Sequence, residues 1–110
     1  MRAPVDNLFR VTELLSARPE YIVPMYQVLQ ELLRAESLYP SWPADPVHAS
    51  AILCEESGEC LKECNNFYFD EKDVDPKVSL KNMEKEAVQS AAMGIRFLLG
   101  LKDYKRQSEE

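Results

Sequence analysis

The chain has 110 residues, 45% of them hydrophobic and 29% charged, a composition that suits one globular domain with a single core and excludes a disordered tail or a fibre. Thirteen basic against nineteen acidic residues give a net charge of −6 and a pI near 4.8, so the surface repels phosphate backbones and argues against a nucleic acid polymer as partner. An acidic chain that handles a phosphate ligand needs a divalent cation between the two.

Strand signals are nearly absent, and prolines divide a strongly helical pattern into pieces. The first helix is predicted over about residues 5–16, with Leu8, Val11, Leu14 and Leu15 as its apolar stripe. Pro19 and Pro24 interrupt the chain or open the next helix, since proline tolerates the first turn and not the interior. That second helix spans about 24–37, with Met25, Val28, Leu29, Leu32 and Leu33 at helical spacing. LYPSWPADP (38–46) holds three prolines and two aromatics, Tyr39 and Trp42, and cannot continue a helix. Asp45 and Pro46 read as the cap and first residue of a third helix, running from about 47 to 65 or a little beyond. FYFDEKDVDPK (67–77) is an acidic connection. The last helix is predicted from about Ser79 to Leu101, leaving KDYKRQSEE (102–110) as a fraying tail. The expectation is therefore a single all-α domain with its core in about 20–101, without repeats or a membrane-spanning run.

Gly58, Gly94 and Gly100 offer no phosphate-cradling loop. Cys54, Cys60 and Cys64 lie within eleven residues, and MRAPVDNLFRVTELL carries charges where a secretory signal would be apolar. These features point to reduced thiols in a cytoplasmic protein, packed as small hydrophobes rather than joined in a disulfide. A zinc site at Cys60 and Cys64 would need two more ligands, and His48 is the only histidine.

The third helix carries CEESGEC. At about 100° per residue, Glu55, Glu56, Glu59 and Glu63 fall within roughly 120° of one another. A solvated acidic face is the ordinary explanation, yet such faces pair Glu with Lys or Arg three or four residues away. Between positions 47 and 65 the only basic residue is Lys62. Unpaired carboxylates on one arc repel one another, and a hard cation with oxygen ligands relieves that.

Residues 87–101, AVQSAAMGIRFLLGL, contain a single charge, Arg96. A helix apolar nearly all round belongs inside a bundle or at an interface between copies. Glu86 stands at its head, Gln89 lies about 60° away around the axis, and Arg96 about 20° from Gln89. A first-turn acid that complements the helix dipole and an arginine bound to some carboxylate would explain these residues one by one.

Together they form a pattern. EExxE (Glu55, Glu56, Glu59) followed by ExxQ (Glu86 to Gln89) resembles the MazG-like all-α nucleoside triphosphate pyrophosphohydrolases, whose motifs are EExxE and ExxD. The 26 residues from Cys60 to Lys85 fit that family's spacing, and the likeness runs from about Tyr39 to Leu101. It implies a MazG-like helical bundle that binds Mg²⁺, with Mn²⁺ as an alternative, and converts a nucleoside triphosphate and water into the monophosphate and pyrophosphate. By position, Glu56, Glu59 and Glu86 would be metal ligands with Gln89 in the Asp place, and Glu55 the acid that orients water. Arg96 or Lys62 would contact phosphate, and Trp42 or Tyr39 would stack on the base. Gln89 departs from the pattern, because an amide brings one oxygen and no charge. The alternative is a non-catalytic module of the same fold that binds a nucleotide or a protein. Three or four helices, one apolar all round, leave a single chain under-covered, so a homodimer or homotetramer is expected.

Overall fold

Asp–Pro pairs open both long helices of the computed structural model, which describes residues 4–70 and 73–109. Asp45 accepts a hydrogen bond from the Val47 amide at 2.9 Å, and Asp75 accepts one from the Lys77 amide at 2.9 Å. In each case the acid satisfies an otherwise unpaired amide while the proline behind it occupies a position that needs no donor. The helices so started are α3 (Pro46–Phe69) and α4 (Pro76–Gly100). They follow α1 (Pro4–Ala17) and, after a 3₁₀ turn at Pro19–Tyr21, α2 (Ile22–Leu38). Among the described residues every regular element is helical, with no strand.

The boundaries differ from the expected ones where local chemistry is strongest. α4 begins at Pro76 rather than near Ser79, because Asp75–Pro76 repeats the cap of Asp45–Pro46. α3 runs a turn past Asn65 and stops where Asp70 turns left-handed, at φ 53°. α2 starts at Ile22, two residues before Pro24, which falls in the first turn where its missing amide costs nothing. It ends at Leu38, since Tyr39 precedes Pro40 and is pushed to an extended φ of −133°. Residues 1–3, residues 71 and 72 of the connection, and residue 110 of the tail lie outside the described residues.

α4 is the central element, packed along α3 on one side and α2 on the other. Leu32 and Ala35 from α2 meet Ala92 and Met93 from α4, and Ile52, Leu53 and Trp42 pack against that cluster. Ala49 and Ala92 are completely buried, so helices approach closely there. α1 is different: its principal contact is the 3₁₀ turn, and none of its residues is buried.

The loop between α2 and α3 is held to α4 by Arg96, which is only 7% exposed. Its guanidinium donates to the carbonyls of Tyr39 at 2.7 Å and Ser41 at 3.3 Å, and lies 5.0 Å from the centre of the Trp42 ring. Trp42 in turn donates its indole N–H to the Tyr104 hydroxyl at 2.9 Å, which donates to the Phe97 carbonyl at 3.0 Å. Tyr104, inside the segment expected to fray, is thus tied to the body. Gly100 makes this possible, because a Cβ there would lie 2.6 Å from the Tyr104 hydroxyl oxygen. No helix among the described residues is long and apolar enough to cross a membrane.

Candidate functional site

Helix pairing brings Glu56, Glu86 and Gln89 together. Glu56 is half-buried on the face of α3 turned to α4, and Glu86 and Gln89 stand one turn apart on α4. One terminal atom of the Gln89 amide lies 3.2 Å from Oε2 of Glu56 and 3.2 Å from Oε2 of Glu86. With the amide nitrogen on that side, Gln89 donates to both carboxylates. With its oxygen there, three oxygens converge, the donor set of a hard cation. The register of the two helices is pinned one residue further on, where the Ser57 and Ser90 hydroxyls meet at 2.9 Å.

Glu55 and Glu59 are exposed on the rim of this cluster. Among the described residues no Lys or Arg forms an ion pair with Glu55, Glu56, Glu59 or Glu86; the ion pairs present lie elsewhere, in α1, the 3₁₀ turn and α2. Burial pushes the Glu56 carboxyl above the usual carboxylate range, and the neighbouring Glu86, Glu55, Glu59 and Glu31 push it further. A carboxyl raised in the folded state favours folding while protonated and loses that contribution as pH rises through its folded pKa. Metal-free stability should therefore fall as pH rises from the ordinary carboxylate range through the raised pKa of Glu56. Urea midpoints measured across that range with chelator present should show the decline, and Glu56→Gln should flatten it.

Glu31 is the member that sequence reasoning missed. It sits on α2 with only 14% of its side chain exposed and receives two hydrogen bonds from Arg34, at 2.8 and 2.7 Å. A signal was present: Val28, Glu31, Leu32 and Ala35 are spaced i, i+3, i+4 and i+7, so an acid occupies the inner row of an amphipathic helix. Beside it, Glu31, Arg34, Gln27, Gln30 and Lys85 line a polar groove of about 390 Å³ between α2 and α4. Arg34 and Lys85 are basic groups that the sequence reading did not connect with the acids.

The other expected site residues are placed differently. Lys62 is exposed on α3. Arg96 lies seven residues beyond Gln89, about 10 Å along the helix axis, and is engaged by the Tyr39 and Ser41 carbonyls and the Trp42 ring. Trp42 has its indole N–H satisfied and borders a separate cleft of about 700 Å³, together with Glu36, Pro43 and Leu99. Cys60, one turn after Glu56, has its thiol pushed up by burial, by Cys64 and by Glu86, which keeps it protonated and a poor nucleophile. Cys54, Cys60 and Cys64 are all free, with Cys54 exposed rather than packed inside.

The acid cluster is loose. Among the described residues no three His, Cys, Asp or Glu side chains close on one point as a ready-made metal cage, and the amide of Gln89 stands between the two innermost carboxylates. Carboxylates contributed by two helices, with a third helix alongside, still suit an oxygen-ligated cation better than a zinc or a covalent nucleophile. Compared with known proteins, the chain matches no family model, no curated protein and no solved structure.

Proposed function

We propose that the chain is a Mg²⁺-dependent nucleoside triphosphate pyrophosphohydrolase of the MazG-like kind, converting a (d)NTP and water into the (d)NMP and pyrophosphate. The observation that carries this reading is the meeting of Glu56, Glu86 and Gln89 between α3 and α4 without a basic counter-charge. Glu56, Glu59 and Glu86 would hold the cation, with Gln89 presenting its amide oxygen after turning about its last bond. Mg²⁺, when bound, neutralises phosphate charge and acidifies a coordinated water. Glu55 sits at the rim, where an acid can orient the attacking water and accept its proton. Exposed Lys62, and Arg34 and Lys85 in the adjoining groove, supply positive charge for the phosphates. Trp42 and Arg96 shape the neighbouring cleft. The protein works as a homodimer or homotetramer, because one chain leaves too much apolar surface uncovered.

Measuring pyrophosphate released from a panel of (d)NTPs with Mg²⁺ or Mn²⁺ tests this. Turnover of at least one nucleotide is expected; no turnover, together with no thermal shift on adding metal, would sink it. The neutral amide at Gln89 favours one other reading, a MazG-fold module that binds a nucleotide or protein without hydrolysis. Restoring charge there separates the effects. Gln89→Asp should bind Mn²⁺ about tenfold more tightly, since affinity rises with the ligand charge count, and should destabilise the metal-free chain by adding a third carboxylate between Glu56 and Glu86. Calorimetric titration and thermal melts with chelator read the two outcomes.

A further inference from the structure

The chain exposes far more surface than a folded monomer of its size. Its accessible area is 8713 Å², against about 6,200 Å² for a monomer of 12.6 kDa. Its radius of gyration is 16.9 Å, against about 13 Å for a compact domain of this length. Among the described residues no large side chain is fully buried. The excess of about 2,500 Å² far exceeds the ~800 Å² that each partner contributes to a standard interface and matches a permanent one.

Much of that excess lies at one end. A helix of 14 residues such as α1 is marginal by itself in water, yet α1 packs on little besides the 3₁₀ turn. Its stripe of Leu8, Val11, Leu14 and Leu15 faces outward or into a groove of about 480 Å³ shared with Tyr21, Pro24 and Met25. On α2, Ile22, Tyr26, Leu29 and Leu33 are each about half to two-thirds exposed. Their spacing of four, three and four residues is that of a helix–helix seam. They lie on a different face from Leu32 and Ala35, which are buried against α4, so α2 has two apolar faces and only one is covered.

We propose that this end is the interface with a second copy of the chain. The Ile22–Tyr26–Leu29–Leu33 seam packs against its own counterpart across a twofold axis, and each α1 lies over the partner's α1–α2 groove. A second copy is the occupant because the cover is needed for the fold itself. It must therefore be present in equal amount whenever the chain folds, a condition that an occasional partner does not meet. An isologous contact also requires one self-complementary patch, and an uncharged seam supplies it. The inference rests on the homo-oligomer part of the reading above and is independent of the metal chemistry.

Light scattering on the full chain at micromolar concentration should give two or four times 12.6 kDa. Leu29→Glu with Leu33→Glu should weaken association at least about a hundredfold, whereas Leu98→Glu, at an equally exposed position on the far end of α4, should leave the mass unchanged. Hydrogen exchange on the wild-type chain supplies a readout free of variants: α1 amides should be protected at high concentration and lose protection on dilution. A wild-type monomer would overturn both the homo-oligomer reading and the seam. An oligomer that survives the α2 substitutions, dissociates with Leu98→Glu, or leaves α1 unprotected would overturn the seam alone.

Discussion

Glu56→Ala should lower pyrophosphate release by at least about a hundredfold while making the metal-free protein more resistant to urea at neutral pH. The rate loss follows from removing the carboxylate that stands innermost in the cluster: metal stabilisation of phosphoryl charge is worth several kcal/mol, and about 1.4 kcal/mol is tenfold in rate. The stability gain follows from the same position. Glu56 is half-buried, its carboxyl is held above the usual range by burial and by Glu86, Glu55, Glu59 and Glu31, and no cation relieves it in the metal-free chain. Activity and stability moving in opposite directions is the signature of a functional acid rather than a folding residue. If both fall together, Glu56 supports the helix packing instead.

Arg96→Ala should behave in the opposite way, with a loss of about 3 kcal/mol in unfolding free energy. A buried charged donor to two carbonyls is worth about 1.5–3 kcal/mol per bond, and its loss would release the Tyr39 and Ser41 carbonyls from α4. The α2–α3 loop would loosen, taking with it the Trp42–Tyr104 bond that anchors the C-terminal segment. Urea unfolding measures the loss, and Arg96→Lys should recover only part of it because an ammonium lacks the planar guanidinium face that lies over the Trp42 ring. An unchanged urea midpoint for Arg96→Ala, with a raised KM for nucleotide, would instead return Arg96 to the phosphate-binding role that its sequence position suggests.

The contrast between these residues shows what was legible in the sequence. Glu56, Glu86 and Gln89 could each be placed on a helix face because helical spacing is regular and the scarcity of Lys and Arg nearby is visible without a structure, whereas bringing the two helices together rested on the resemblance of the paired motifs. Arg96 shares an edge with Gln89 on the helical wheel, but a wheel carries no information about the loop that folds over it. That loop, and Tyr104 beyond it, come from residues 57 and 8 positions away in the chain. Glu31 was missed for the same reason: it reaches the acids through packing of α2 on α4, and only its place in an apolar row hinted at burial. The start of α4 was misplaced by a local cue, since Asp75–Pro76 sits inside an acidic stretch that reads as a linker until compared with Asp45–Pro46.

The surface tells a complementary story. Apolar patterning located α1 and α2, and their folding within one chain leaves much of that pattern exposed. A seam spaced for helix packing and a short helix with little to lean on are what the proposed second copy would cover. Among the described residues Glu55, Glu56, Glu59 and Glu86 have no basic partner, and on the function proposed above a cation would supply the missing charge.

Titrating the metal-free protein with Mn²⁺ in a calorimeter tests the central claim most directly, because it needs no knowledge of which nucleotide is used. Saturable binding to the wild-type chain, a rise in melting temperature with metal, and loss of both in Glu56→Ala are the results expected. No binding heat and no thermal shift, in a chain shown to be folded, would contradict the assignment of Glu56, Glu59, Glu86 and Gln89 as a cation site.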